Sequence, residues 1–178
     1  MEPSSIRRVA VVGTGTIGMS WAATFLSRGI AVTASDPAPE AEQRLRRFID
    51  TAWPVLARLG AIAERPPHQL LVFCADATSA VTAADFVQES APEREAVKQE
   101  LLARIDAVLP PEIVIASSSS GLLISKLQGA CRHPERVVIG HPFNPPHLIP
   151  LVEVVGGART APATIERAMA VYAAIGKR

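Results

Sequence analysis

A histidine and a glutamate lie 12 residues apart in the last third of the chain, and together they could move a proton. His141 ends a β-branched run (residues 137–140), and Glu153 interrupts a second apolar run (residues 151–155). Imidazole titrates near neutral pH and can act as a general base, while a neighbouring carboxylate orients it. Because a carboxylate among apolar residues is costly without a partner, we expect Glu153 to pair with His141. The alternatives to a catalytic pair are that His141 is only a hydrogen-bonded polar residue at the end of a strand and that Glu153 pairs with a nearby arginine.

The segment between these two runs is rich in proline, which restricts φ and so sets the shape of the loop before any ligand binds. A second polar segment is the serine run at residues 117–120, which follows an apolar run. It is either an ordinary polar loop or a ligand-binding loop, because ligands bind where strands of a doubly wound sheet end. Ser120 is therefore a candidate hydrogen-bond donor.

A glycine-rich loop, GTGTIG (residues 13–18), follows an apolar run (residues 9–12) and precedes a helical apolar pattern that stops at Gly29. The first glycine permits a tight turn, the second lets a pyrophosphate approach the backbone, and the third lets the helix pack closely. The helix N-terminus then favours an anion. GxGxxG alone is weak evidence, but this context is the one that dinucleotide binding requires. We assign to the cofactor Gly13, Gly15, Thr16, Ile17 and Gly18.

Asp36 ends the next predicted strand (residues 30–35), 18 residues after Gly18. A carboxylate at this distance is expected to accept hydrogen bonds from the adenosine ribose. It would repel a 2′-phosphate, and Pro37-Ala38-Pro39 offers no adjacent arginine to bind one. NAD is therefore favoured over NADP. The alternative role for Asp36 is a helix N-cap ahead of Pro37.

The remaining patterns predict alternating strands and helices, which indicates a single α/β domain with a doubly wound, mostly parallel sheet. Pro54 should kink or split a helix over residues 40–60, and Trp53 beside it is more typical of a core residue than of a substrate contact. Pro92 should lie in the first turn of a helix that ends before Pro110. The other predicted elements are a loop at 63–68, strands at 70–75, 85–90, 113–116, 137–140 and 151–155, and a last helix at 160–175.

Composition excludes several classes of protein. The chain has 178 residues, 48% hydrophobic and 20% charged, with a net charge of +1, which suits one globular domain and gives no basic field for nucleic acid. The N-terminal residues resemble neither a signal peptide nor a membrane span, so we expect a cytoplasmic protein. Cys74 and Cys131 are expected to be free thiols. Cys131, His133, His141 and His147 do not match the ligand spacing of a zinc site, so no metal is expected.

Several segments taken together resemble the NAD-binding domain of the 3-hydroxyacyl-CoA dehydrogenase superfamily, a Rossmann-type domain. They are GTGTIG (13–18), Asp36, SSSS (117–120), HPFNP (141–145) and LVEVV (151–155). The most specific feature is a serine 21 residues before a histidine that is itself 12 residues before a glutamate. Within the superfamily, DPAP (36–39), TAWPVL (51–56) and QESAPER (88–94) look most like the carnitine dehydrogenases, with the L-gulonate dehydrogenases as further cousins.

The resemblance implies roles for individual residues. His141 would be the general base that takes the proton of the substrate hydroxyl, and Glu153 would orient it. Ser120 and Asn144 would hydrogen-bond the substrate oxygen or fix His141. Beside the glycine loop and Asp36, the implied cofactor-binding residues are Ser90, Glu93, Lys98 and Ser118.

The resemblance also implies what the substrate and the rest of the protein would be. It favours NAD-dependent oxidation of L-carnitine, with an L-3-hydroxyacyl-CoA or L-gulonate as alternatives and a non-catalytic, crystallin-like NAD-binding protein as a further one. The acyl-CoA enzymes usually carry Phe where Pro142 stands. The family continues with a last strand and a helical dimerisation domain, so residues 1–178 are expected to be the cofactor domain of a homodimer, weak or inactive alone.

Overall fold

The computed structural model describes residues 6–178, which form a seven-stranded sheet covered by helices on both faces. The expectation about the N-terminal residues falls mostly on residues 1–5, which lie outside the described range. The strands are β1 Arg8–Val12, β2 Ala31–Ser35, β3 Leu71–Cys74, β4 Phe86–Glu89, β5 Ile115–Ser117, β6 Val137–Pro142 and β7 Val152–Gly156. The helices are α1 Thr16–Ser27, α2 Ala41–Arg58, α3 Ala77–Val81, α4 Glu95–Asp106, α5 Ile124–Leu127 and α6 Pro162–Ala174.

The sheet has the order β3-β2-β1-β4-β5-β6-β7. All neighbouring strands pair in parallel except β7, which runs antiparallel to β6. The direction of winding reverses between β1 and β4, and ligands of such sheets bind outside the carboxyl ends of the strands at this point. The predicted doubly wound, mostly parallel α/β fold is confirmed.

Two apolar clusters, one on each face of the sheet, form the core. Strand β1 shows why: Val9 and Val11 pack into the cluster that contains α1, α2 and α6, while Ala10 and Val12 pack into the cluster that contains α4 and α5. Alternate residues of a strand point to opposite faces, so a strand that is covered on both sides must be apolar throughout. The continuous apolar runs in the sequence follow from this burial.

Of the predicted helix features, the split at Pro54 and the position of Pro92 in a first helical turn are wrong. Helix α2 is not split, and it runs through Pro54 from Ala41 to Arg58. Proline lacks the N–H that would bond one turn earlier, and its ring crowds the carbonyl there. The helix continues nevertheless, because its apolar face, which includes Leu45 and Ile49, is buried on the core. Helix α4 begins at Glu95, so Pro92 lies before it rather than in its first turn.

Trp53 is a core residue, as its spacing indicated. Its side chain is 2% exposed, and its indole N–H donates to the carbonyl of Ala63 at 3.0 Å. A buried indole N–H requires such a partner, which the loop after α2 supplies.

A buried ion pair fixes the start of β6 to the end of α4. Arg136, which is 2% exposed, lies 2.7 Å from Asp106 and also donates to backbone carbonyls, among them that of Leu109. Asp106 in turn accepts from the backbone N–H of Arg132 at 2.6 Å. Because both charges have additional hydrogen-bond partners, their desolvation is compensated. The pair sets where β6, and therefore His141, enters the sheet.

None of the helices within residues 6–178 combines the length and the hydropathy needed to cross a bilayer.

A substitution at Gly140, which lies against Tyr172, tests the packing of β6 against α6. A Cβ atom on Gly140 would lie 1.8 Å from the Tyr172 hydroxyl oxygen and 2.7 Å from its ring carbon Cζ. We therefore predict that Gly140→Ala lowers the free energy of unfolding by about 1–3 kcal/mol or more, because overpacking forces neighbours to move. Urea denaturation followed by circular dichroism measures this change.

The matched control is Gly129→Ala, because no heavy atom lies within 4 Å of the corresponding Cβ position. This variant should have wild-type stability or be slightly more stable. Equal unfolding midpoints for the two variants would contradict the packing described for Gly140.

Candidate active site

The turn after β1 places the glycine loop against the end of β4. Gly13 has φ +90, and a Cβ atom there would lie 2.6 Å from the carbonyl of Ser90. A Cβ atom on Gly18 would lie 1.8 Å from the Gly13 carbonyl oxygen. The turn therefore needs glycine at both positions, for reasons of backbone conformation and of space.

The side of the loop at Gly15 is open, since no heavy atom lies within 4 Å of its Cβ position. The first bond of α1 runs from the N–H of Met19 to the Gly15 carbonyl at 2.9 Å. The N–H groups of the preceding residues, Thr16 to Gly18, have no acceptor one turn earlier in the helix. A diphosphate fits this opening, because the free N–H groups and the helix dipole favour negative charge.

Asp36 lies beside the same loop and is held there by hydrogen bonds. Its carboxylate accepts from the backbone N–H of Thr14 at 2.7 Å, from the Thr14 hydroxyl at 3.2 Å and from the N–H of Ala38 at 2.9 Å. The next helix begins only at Ala41, so Asp36 is not its N-cap. Asp36 therefore lies where the glycine loop and the end of β2 meet.

Asp36 and its neighbours line a cavity of about 560 Å³, here called the Asp36 cavity. Gly13, Ala75 and Leu101 form other parts of its wall. Arg104 also lines it, a residue far from Asp36 in the sequence, but it lies 3.3 Å from Asp76. Hydrogen bonds from Thr78 and Ser79 lower the pKa of Asp76 to about 2, so Arg104 faces a carboxylate over the whole physiological range.

His141 and Glu153 face each other across the β6–β7 ladder. They are directly paired in the antiparallel register, and His141 Nδ1 lies 2.9 Å from a carboxylate oxygen of Glu153. Since a carboxylate accepts hydrogen bonds, this contact favours the tautomer with the proton on Nδ1. The second ring nitrogen, Nε2, makes no hydrogen bond within residues 6–178 and has a free lone pair. The arrangement is that of a base with an oriented ring.

Glu153 is more exposed than its apolar neighbours in the sequence indicated. Its side chain is 57% exposed, and Leu151 and Val155 nearby are also exposed. In a strand, successive residues point to opposite faces, and only the face of β7 that carries Val152 is buried. Glu153 thus pairs with a histidine and not with an arginine, but it does so at the surface.

The hydroxyls of the serine run have different partners. Ser117 donates to Glu89, Ser118 lies 2.9 Å from the Ser90 hydroxyl, and Ser119 donates to Glu93 at 2.5 Å. For the Ser120 hydroxyl no hydrogen bond exists within the described part of the chain, although its backbone N–H donates to Glu93 at 3.0 Å. Ser120 is therefore the serine whose hydroxyl is left for a ligand.

Glu93 and Lys98 are held by the protein itself. Burial by itself raises the pKa of Glu93, but hydrogen bonds from Ser119, Gly121 and Ser120 and the charge of Lys98 lower it below its usual range. The Lys98 ammonium, on a side chain 1% exposed, lies 2.6 Å from Glu89 and 3.6 Å from Glu93. Glu93 thus orders the loop around Ser120, and the Lys98 ammonium lies between Glu89 and Glu93.

These residues line a cavity of about 410 Å³, here called the His141 cavity. A smaller cavity of about 240 Å³ adjoins it, because Ser120 and His141 line both. The structure brings together in the His141 cavity most residues that sequence reasoning selected around the histidine: Ile17, Ser90, Glu93, Lys98, Ser118, Ser120, His141 and Asn144. Gly13 and Asp36 line the Asp36 cavity instead, and Ala91 lines both cavities.

The proline-rich loop between β6 and β7 is anchored to α1 and to the last residues of the chain. Ser20 accepts from the backbone N–H of His147 at 2.8 Å, and Lys177 donates to the carbonyl of Ile149 at 3.0 Å. Burial, together with the charge of Arg28, lowers the pKa of Lys177 to about 8. These contacts anchor the loop that places Asn144 in the wall of the His141 cavity.

Sequence reasoning missed a buried polar group beneath the cavity. Gln88 is 0% exposed and donates to the Ser118 hydroxyl at 2.8 Å, while the Tyr172 hydroxyl donates to Gln88 at 2.6 Å. The sequence did contain a signal for this buried group, because Gln88 and Glu89 interrupt the apolar pattern of β4, a central strand. Buried polar groups in such a strand must have partners.

Among residues 6–178 there is no group of three or more side chains that could hold a metal ion. Cys74 is half-buried and Cys131 is buried, and both are free thiols. Burial raises the pKa of Cys131 to about 11, which keeps it protonated.

Comparison with known proteins gives consistent matches over almost the whole chain. The family model described as "3-hydroxyacyl-CoA dehydrogenase, NAD binding domain" matches residues 8–178. An L-carnitine dehydrogenase from Streptomyces coelicolor is 54% identical over 176 residues, which are 99% of this chain and 55% of that protein. This chain thus spans about half the length of the curated relatives it matches.

Solved structures of dehydrogenases match the fold of this chain as well. The FHMPC 5-dehydrogenase, described as an NAD+-dependent dismutase, has a TM-score of 0.88 and 38% identity over 97% of this chain and 56% of that one. The 3-hydroxybutyryl-CoA dehydrogenase from Escherichia coli has a TM-score of 0.89 and 33% identity over 98% of this chain and 37% of that one. The chain belongs to the 3-hydroxyacyl-CoA dehydrogenase family, whose NAD-binding domain it carries.

Proposed function

We propose that this chain is the cofactor-binding part of an NAD-dependent dehydrogenase that oxidises the 3-hydroxyl of a small L-3-hydroxy acid, with L-carnitine as the first candidate. The observation that carries the proposal is the His141–Glu153 contact at 2.9 Å beside a cavity that continues from the glycine loop. The carnitine dehydrogenases at about half identity support the choice of substrate.

We place NAD along the two cavities and the glycine loop between them. The adenosine would lie in the Asp36 cavity, the diphosphate over Gly15, and the nicotinamide in the His141 cavity. Asp36 would accept hydrogen bonds from the ribose hydroxyls, and its negative charge disfavours a 2′-phosphate. Arg104 does not offset this effect, because it faces the carboxylate of Asp76.

His141 would remove the proton from the substrate hydroxyl through its free Nε2. The imidazolium that forms would be stabilised by Glu153, which accepts the proton on Nδ1. Bound NAD supplies the acceptor for the hydride that leaves the same carbon. Ser120 and Asn144, at the cavity wall, would hydrogen-bond the substrate oxygen and hold the hydroxyl against Nε2.

The curated relatives are about twice as long as this chain, so we propose that substrate binding and full activity need the region they add. Leu151 and Val155 are exposed apolar residues at the edge strand beside Glu153, and a further domain packed there would shield the pair from water. We further propose that the complete protein is a homodimer through that region and that this chain alone turns over substrate poorly.

The substrate assignment is tested by NADH formation in the complete gene product, offered L-carnitine, L-gulonate and L-3-hydroxybutyryl-CoA at equal concentrations. We expect kcat/KM to be highest for L-carnitine. Preference for the thioester would mean that the protein is an acyl-CoA dehydrogenase. The absence of turnover with all of them, in a protein that binds NADH, would support the crystallin-like alternative.

The role of His141 is tested by His141→Ala in the complete gene product. We predict that kcat falls by about 10²–10⁴-fold, because a positioned general base contributes this much, while the Kd for NADH stays within about twofold. Steady-state kinetics and fluorescence titration with NADH measure the two quantities.

The chain offers a matched control in His133, whose Nδ1 lies 3.2 Å from Glu135 outside both cavities. His133→Ala removes a similar histidine–glutamate pair and should leave kcat unchanged. If His141→Ala behaved like His133→Ala, His141 would not be the base.

The role of Asp36 in cofactor choice is tested by Asp36→Asn, which keeps the size of the side chain but removes its charge. We predict that the ratio of Kd for NADP+ to Kd for NAD+ falls by about tenfold, because the repulsion of the 2′-phosphate is lost. Asp50→Asn, at an exposed pair with His68, is the control. An unchanged ratio in Asp36→Asn would limit Asp36 to holding the loop through Thr14.

A further inference from the structure

A series of hydrogen bonds beneath the His141 cavity links Tyr172, Gln88, Ser118 and Ser90. Which group donates in each bond follows from the chemistry of the groups. The amide of Gln88 is oriented by the carbonyl of Gly140, 3.3 Å from Nε2, because a carbonyl oxygen accepts and must face the amide N–H. The Oε1 atom of Gln88 then accepts from the Tyr172 hydroxyl at 2.6 Å. Complete burial raises the pKa of Tyr172, so this hydroxyl keeps its proton.

The next member of the chain of hydrogen bonds is Ser118. Its hydroxyl oxygen lies 2.8 Å from Gln88 Nε2 and 3.2 Å from Trp21 Nε1, and both of these nitrogens can only donate. A hydroxyl has two acceptor lone pairs and one proton. With both lone pairs occupied, Ser118 must donate its proton to the remaining neighbour, the Ser90 hydroxyl at 2.9 Å.

Ser90 accepts this hydrogen bond through an oxygen lone pair, and its own O–H is left to donate. Within residues 6–178 its hydroxyl makes no other hydrogen bond, and Ser90 and Ser118 both line the His141 cavity. The Ser90 O–H is therefore free to donate to a ligand in the cavity. The position of Ser90 agrees with this role. A Cβ atom on Gly13 would lie 2.6 Å from the Ser90 carbonyl, so Ser90 lies next to the glycine turn, and it shares the cavity wall with His141.

We propose that Ser90 is a fixed hydrogen-bond donor to the carboxamide oxygen of the nicotinamide, and that Gln88 is the positioning residue that sets this direction. The inference rests on the proposed placement of the nicotinamide in the His141 cavity. A donor at this point holds the carboxamide in one orientation and so presents one face of the ring to the substrate. Gln88 also donates to the carbonyl of Gly140, the residue before His141. The same buried amide would therefore position both the nicotinamide ring, through Ser118 and Ser90, and the proposed base, His141.

The test compares three cofactors in binary complexes of the complete gene product, with Kd measured by isothermal titration calorimetry. NAD+ and its 3-acetylpyridine analogue both carry a carbonyl oxygen, whereas thionicotinamide adenine dinucleotide carries sulfur, a weaker acceptor. We expect Ser90→Ala to weaken NAD+ and the acetylpyridine analogue by about 3–10-fold and the thio analogue by less than about twofold. Gln88→Met should shift the three values in the same pattern.

The matched control is Ser27→Ala, which removes a buried serine hydroxyl that donates to the Thr24 carbonyl at 2.7 Å within α1. It should leave all three dissociation constants unchanged. Ser90→Ala removes only an oxygen atom at a half-buried position, so it tests the donor even if Gln88→Met impairs folding. Equal weakening of all three cofactors, or none, would overturn the proposal.

Steady-state kinetics of Ser90→Ala complete the test. Unchanged cofactor dissociation constants together with a raised KM for the substrate would also overturn the proposal, since the donor would then serve the substrate and not the carboxamide. The His141→Ala experiment is independent of these outcomes, because it concerns turnover and the present test concerns binding of the cofactor alone. A wild-type result for His141→Ala would therefore remove the proposed base without affecting the assignment of Ser90.

Discussion

The antiparallel register of β6 and β7 is the constraint on which the candidate site depends. It places His141 directly opposite Glu153, with Nδ1 and the carboxylate 2.9 Å apart. Because side chains alternate between faces along a strand, a shift of one residue would move one partner to the other face of the sheet. Buried Val152 and Val138 fix the register, since the same shift would expose them. The site is thus maintained by apolar burial on the opposite face.

The glycine-loop half of the candidate site depends on close backbone contacts, whereas the half around His141 depends on buried hydrogen bonds. At Gly13 and Gly18 the absence of a Cβ atom lets α1, β1 and β4 converge. Beneath His141, the pairs Glu89–Lys98 and Gln88–Tyr172 are almost completely enclosed. Buried polar groups are costly unless every member has a partner, and here the partners come from several helices and strands. The protein itself therefore supplies the partners of these buried groups, without a cofactor.

The fold and the cofactor class could be predicted from local patterns. The apolar runs and glycine spacing indicated the doubly wound sheet and NAD, because burial on both faces and the needs of a diphosphate act on neighbouring residues. Element ends were less accurate: Pro54 lies inside one helix and Pro92 before another. The core packing of Leu45 and Ile49 outweighs the loss of one backbone hydrogen bond at Pro54, and local preferences do not contain that information.

What the sequence by itself determined is the set of chemical groups and their order along parallel strands, which is enough to bring the glycine loop, Asp36, Ser120 and His141 to one edge of a sheet. Only the tertiary structure decided which groups remain free. Of the serine run, three hydroxyls have protein partners, and Ser120 does not within the described residues. Likewise, Gln88 and Tyr172 are 84 residues apart, and their contact exists only because α6 packs across β4 and β6. Hydrogen-bond satisfaction depends on neighbours in space, and those are set by the packing of the whole domain.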